Sequence, residues 1–133
     1  KNKIPVLGHI GITPQTTKGK FKSKGKTEIE KKKLIKDAEA LEQSGAFGMV
    51  LECVNSDISK KITKLIKIPT IGIGASIHCD GQVLVTDDIL GLTDVKIKFV
   101  KKYANIKKII NLAVSKFKQE VKSGRYPTKK YSY

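Results

Sequence analysis

The chain has 133 residues, 39% hydrophobic and 29% charged, a composition expected of one small globular domain rather than a disordered chain. Its formal net charge is +15, from 27 basic and 12 acidic residues. No apolar run approaches the roughly 20 residues needed to cross a bilayer, and no charged-then-apolar leader opens the sequence, so a cytoplasmic protein without membrane segments is expected.

A balance this basic attracts polyanions without specificity. The basic residues are almost all lysine, with Arg125 the sole arginine, and no tryptophan is present. Arg forks and stacking aromatics, the usual tools of specific nucleic-acid readers, are therefore scarce. Many lysines fall where helices should face water: Lys31, Lys32, Lys33 and Lys36, then Lys60, Lys61 and Lys64, then Lys107, Lys108, Lys116 and Lys118. The charge is read mainly as solvated helix faces. Cys53 and Cys79 are not in CxxC spacing, so two reduced, partly buried thiols are expected instead of a disulfide framework or zinc site.

In chain order, residues 4–10, IPVLGHI, form an apolar run that reads as a buried strand ending near His9. Residues 11–26, rich in Gly, Lys, Thr and Ser, read as a long loop, a length often used for functional lids. Thr27 and Glu30 make a capping box, Leu34, Ala38 and Leu41 recur at helical spacing, and Gly45 supplies a stop, which predicts a helix at about 28–44. FGMVLEC at 47–53 is the next strand. Asn55 or Ser56 caps a helix that carries Ile58, Ile62 and Leu65 on one face. TIGIGA at 70–75 and QVLV at 82–85 are the third and fourth strands. Ile106, Ile110, Ala113, Phe117 and Val121 stripe a long last helix, closed by Gly124 and Pro127.

Strands alternating with helices imply a parallel sheet. Four strands suit half of a (β/α)₈ barrel, since a complete TIM barrel normally takes about 250 residues. The expectation is one domain over 1–133 that forms the C-terminal half of such a barrel, with the N-terminal half absent. The opening residue, Lys1 in place of Met, agrees with a fragment.

In such barrels the reactive residues collect at the C-terminal ends of strands. His9 ends the first strand, Glu52 ends the second inside VLEC, and Ser76, His78 and Asp80 follow the third. Glu52 is the most informative, because a carboxylate among Val50, Leu51, Cys53 and Val54 is unusual in a buried strand. As an edge residue it pairs with a lysine; partly buried, it acquires the raised pKa of a general base. His9 alone reads more readily as a satisfied core histidine. The GIGAS turn at 72–76 offers either backbone N–H groups for an anion or simply a tight turn.

Taken in order, these segments resemble one family. GHIGITPQ at 8–15, FKSKGKT at 21–27, VLECV at 50–54, IPTIGIGA at 68–75, CDGQVLV at 79–85, KFVKKYANI at 98–106 and EVKSGRYP at 120–127 are similar to the ordered motifs of ketopantoate hydroxymethyltransferases. The resemblance covers essentially the whole chain. It implies a (β/α)₈ barrel assembled into decamers that transfers the one-carbon unit of 5,10-methylenetetrahydrofolate to 3-methyl-2-oxobutanoate, giving 2-dehydropantoate. It implies Glu52 as the proton acceptor, His9 near the substrate, and Mg²⁺ chelating the keto acid through acids that belong to the barrel's first half. No metal ligand is expected within this chain, and acids such as Asp80, Asp87 and Asp88, near the expected barrel mouth, are not counted as ligands.

The sequence departs from the family pattern at Asn55, where proline is usual, at Ser76 in place of a glycine, in FKSKGK, and in the tail PTKKYSY. The alternatives weighed are a lysine-rich domain that binds nucleic acid and a related barrel lyase acting on another 2-keto acid.

Overall fold

A computed structural model describes residues 4–13 and 22–133. The chain divides into two compact units, one running to Leu84 and the other Val85–Tyr133.

The first unit contains β1 (Leu7–Gly11), α1 (Glu28–Gln43), β2 (Gly48–Glu52), α2 (Ser56–Leu65), β3 (Thr70–Ile73) and β4 (Gly81–Gln82). The strands form one parallel sheet in the order β1-β2-β3-β4. Register fixes which side chains share a face. Ile10, Leu51 and Gly72 are aligned across the first three strands, and so are Val50 and Ile71 with His9. Because strand side chains alternate, Ile10, Met49 and Leu51 point to one side. There they meet Leu34 and Ala38 of α1 and Ile58 and Ile62 of α2 in the buried core. His9, Val50, Glu52, Ile71 and Ile73 share the other side.

Sequential parallel strands with both helices on one side build the wall of a (β/α)₈ barrel. A doubly wound sheet would put helices on both faces. The fold is thus a partial barrel of the expected class.

Local chemistry explains the element ends. Thr27 Oγ1 accepts from Glu30 N–H at 3.2 Å, and the Glu30 carboxylate accepts from the N–H groups of Lys26 and Gly25 at 2.9 and 3.1 Å. These bonds, that from Lys26 first, hold the Glu30 carboxyl below its ordinary pKa. At the other end Gly45 (φ 86°) lets Ala46 N–H reach Leu41 O and Gly45 N–H reach Glu42 O, a Schellman closure.

The expected fourth strand over 82–85 is corrected to Gly81–Gln82. Val83 N–H still reaches Gly72 O at 3.0 Å, and among the described residues β4 pairs with β3 alone. Beyond Val85 the chain turns into a short helix that the apolar pattern does not announce. The connection from β3 to β4 takes only residues 74–80, shorter than the dozen or so usual for a parallel crossover. The 11–26 segment falls partly outside the described residues. Within them, Lys24 joins the sheet's end by a bridge to Val54, its N–H donating to Cys53 O and its carbonyl accepting from Asn55 N–H, both at 2.8 Å.

The second unit holds α3 (Thr86–Ile89), α4 (Ile106–Lys122) and a 3₁₀ turn at Lys129–Tyr131. The N–H groups of Tyr103 and Ala104 both donate to Ile89 O, and Ile106 N–H donates to Leu90 O, tying the start of α4 to the end of α3. Asp88 is buried and accepts from Thr93 Oγ1 at 2.5 Å. Helix α4 is capped by Asn105, whose side chain accepts from Lys108 N–H, and closed by Gly124 (φ 68°), the stop expected from the sequence. None of its residues is buried, and its apolar stripe of Ile110, Val114, Phe117 and Val121 is exposed.

Candidate active site

Glu52 and His9 stand on the face of the sheet opposite α1 and α2. His9 is aligned with Val50, and Glu52 lies two residues further along β2, a diagonal spacing within reach of long side chains. Their side chains meet: His9 Nε2 is 3.2 Å from Glu52 Oε2. The same Nε2 is 2.9 Å from the carbonyl oxygen of Ile12. The Glu52 side chain is 16% exposed and that of His9 34%, so the carboxylate is sheltered yet open to a small molecule.

Backbone geometry places both groups. Gly11 ends β1 with φ 102°, and a Cβ there would sit 2.1 Å from Glu52 O. This close approach allows Ile12 N–H to donate to Glu52 O at 2.9 Å, which swings the Ile12 carbonyl over to His9. After Glu52 the chain turns sharply at Cys53, a non-glycine residue with φ 52°. Cys53 N–H donates to Ile73 O at 2.9 Å, and its carbonyl accepts from Lys24. Such a left-handed conformation costs about 1–2 kcal/mol for an L-residue and is held by the surrounding bonds. Burial, and then the negative charge of Glu52, push the Cys53 thiol above its ordinary pKa. Neither Ile12 nor the turn at Cys53 is announced by composition or periodicity; Gly11, the last residue of GHIG, is the one sequence signal for this geometry.

Asn55 caps α2, accepting from Asp57 N–H at 3.0 Å while its own N–H donates to Lys24 O. A proline in that place has no N–H to give.

The segment after β3 is built differently from the expectation. Ser76 is buried; its hydroxyl lies 3.1 Å from Ser56 Oγ and accepts from His78 N–H, and its carbonyl accepts from Gln82 Nε2 at 2.8 Å. The left-handed glycine of the GIGAS turn is Gly74 (φ 62°), and Ser76 has no positive φ, so the serine sits there without backbone strain. Asp80 is not at the mouth with Glu52. Its Oδ2 accepts from the N–H and hydroxyl of Thr70, the first residue of β3, at 2.8 and 3.0 Å. Residues 74–80 carry the chain back to the N-terminal end of the sheet, and Asp80 has a structural task there. The backbone bond from Thr70 is the chief reason that its carboxyl lies below its ordinary pKa.

Among the described residues, no group of three or more His, Cys, Asp or Glu is arranged to hold a metal ion. Among the same residues, no helix is long and apolar enough to cross a membrane. Cys53 and Cys79 are free thiols.

Comparison with known proteins supplies the family. The sequence profile described as ketopantoate hydroxymethyltransferase matches residues 1–129. The chain belongs to the ketopantoate hydroxymethyltransferase family. It is 57% identical over 133 residues to the 3-methyl-2-oxobutanoate hydroxymethyltransferase of Pelagibacter ubique, covering 100% of this chain and 51% of that protein. The enzymes of the same name from Clostridium botulinum (strain Langeland) and Pyrobaculum aerophilum are 50% and 48% identical, with 100% and 98% of this chain and 50% and 51% of those proteins covered. The chain thus spans about half the length of these ketopantoate hydroxymethyltransferases.

Proposed function

We propose that this chain supplies the proton-accepting half of a ketopantoate hydroxymethyltransferase, with Glu52 as general base. In this reading Glu52 takes the C3 proton of 3-methyl-2-oxobutanoate. The electron pair of that C–H bond becomes an enolate, which forms a C–C bond to the one-carbon unit of 5,10-methylenetetrahydrofolate. Both C–N bonds of that unit break, one water supplies the hydroxyl oxygen and the protons taken up by the two nitrogens of the released tetrahydrofolate, and the proton held by Glu52 goes to the new hydroxyl of 2-dehydropantoate. The observation that carries the reading is the sheltered carboxylate at the C-terminal end of β2, on the face of the sheet opposite α1 and α2; barrel enzymes do their chemistry at that strand end. A carboxylate so held accepts a proton without first shedding a full hydration shell, and its neighbours Gly11 and Ile12 fix its backbone.

The other half of the barrel, the Mg²⁺ ligands and the decameric assembly are assigned to residues outside this chain and to further copies of the protein. The lysine-rich alternative gains no support from α1, where Lys31 and Lys33 pair with Glu28 and Asp37 along the exposed surface.

Steady-state kinetics test the proposal. In the full-length protein, Glu52→Gln keeps the shape of the side chain and removes its basicity. Turnover should fall by about 10²–10⁴-fold, the usual effect of losing a general base, with little change in KM for the keto acid. Full turnover in the variant would refute the assignment.

A further inference from the structure

We infer that His9 is a positioning residue: its Nε2–H, held by the Ile12 carbonyl, keeps the ring beside Glu52 Oε2 and so fixes which carboxylate oxygen faces the substrate. The inference rests on the proposed role of Glu52 and adds to it.

The argument begins with the Ile12 carbonyl. A carbonyl oxygen only accepts, so the 2.9 Å contact requires the hydrogen to be on Nε2. The same nitrogen lies 3.2 Å from Glu52 Oε2. His9 is therefore held as the Nε2–H tautomer when neutral, leaving Nδ1 as the ring nitrogen for any other partner. With its hydrogen already on Nε2, the ring takes no proton at the nitrogen that faces Glu52. With Nε2 beside Oε2, Oε1 is left the freer oxygen to receive the substrate proton.

The arrangement depends on Gly11. Its positive φ brings Ile12 back across the end of β2, with Ile12 N–H on Glu52 O and Ile12 C=O on His9 Nε2. Backbone and side chain of Glu52 are thereby fixed by one short segment, His9 to Ile12. Placement of a reacting group to within a fraction of an ångström is what such a partner contributes to rate.

Two measurements on the full-length protein test this. In ¹⁵N NMR, assigned by comparison with His9→Gln, the Nε2 of His9 should resonate as a protonated, pyrrole-type nitrogen and Nδ1 as an unprotonated, pyridine-type nitrogen. The reverse pattern would overturn the inference whatever the kinetics show. In turnover, His9→Leu should lower kcat by about 10–100-fold, the range seen when an orienting partner of a ligating group is lost, with KM for the keto acid nearly unchanged. His9→Gln, whose amide nitrogen reaches the place of Nε2, should restore most of that loss. His9→Asn, which mimics Nδ1, should not. A rise in KM with kcat intact, or equal activity of the Leu and Gln variants, would contradict a positioning role. Failure of the underlying reading looks different: Glu52→Gln would then stay active, irrespective of the His9 tautomer.

Discussion

Gly11 and Glu52 are register partners at the ends of β1 and β2, and their backbones approach so closely that a Cβ on Gly11 would lie 2.1 Å from Glu52 O and 2.7 Å from Val54 Cγ2. The glycine is required twice, once by its φ of 102° and once by this contact. Gly11→Ala should lower stability by at least about 2 kcal/mol, through left-handed strain and displacement of the β2 end. Denaturant melts check the magnitude. An alanine variant as stable as the parent would mean that the two strand ends separate without cost.

Cys53 reports on the charge of Glu52. Burial is the first cause of its raised pKa and the neighbouring carboxylate the second. In a Cys79→Ser background, the pH midpoint for alkylation of Cys53 by iodoacetamide should lie above that of a free thiol. Glu52→Gln should move it downward, because one negative charge beside the thiolate is gone. An unchanged midpoint would show that the carboxylate and the thiol do not sense each other.

Asp80 gives an acid-side signature. Its carboxyl is held below its ordinary value by Thr70, chiefly through the backbone N–H. A depressed folded-state pKa adds stability above the unfolded value, near 3.9, and that stability disappears as pH falls through the folded value. Asp80→Asn should therefore be less stable than the parent at pH 7, and the difference should shrink as the solution is acidified below about pH 4. Melts at several pH values decide it. A pH-independent difference would assign the effect to packing.

The stripe Ile110, Val114, Phe117 and Val121 on α4 leaves large apolar groups in water, with Val114 59% and Phe117 53% exposed. The chain on its own should self-associate as concentration rises, and Ile110→Glu with Val114→Glu should suppress this. Sedimentation velocity over a concentration series distinguishes the outcomes. A monomer at every concentration would mean that the stripe is tolerated by water.

Much of this was legible in the sequence. The capping box at Thr27 and Glu30, the stop at Gly45, the Asn55 cap and the apolar runs around Ile10, Met49 and Leu51 all carry local chemistry that reads directly as element type. Glu52 was conspicuous because a carboxylate inside an apolar strand is costly unless it is used or paired. The two-residue β4 was not legible. QVLV has the composition of a strand, but whether it pairs depends on a neighbour that the local sequence does not encode. The placement of Asp80 is not legible, because residues 74–80 carry the chain back to the N-terminal end of the sheet in seven residues without a helix, far from the strand end where Ser76 follows β3. The joint constraint on His9 from Ile12 and Glu52 was hidden for another reason. It depends on a carbonyl turned by one glycine φ, and composition and periodicity are blind to that angle.

The most direct test of the central claim isolates the proton transfer from the rest of the reaction. The full-length protein is incubated in D₂O with 3-methyl-2-oxobutanoate and without the folate donor, and loss of the C3 proton signal is followed by ¹H NMR. If Glu52 is the base, the wild-type protein exchanges that hydrogen for deuterium, and Glu52→Gln slows the exchange by about 10²–10⁴-fold. If Glu52→Gln exchanges it at the wild-type rate, Glu52 is not the proton acceptor, and the account given for this site is wrong.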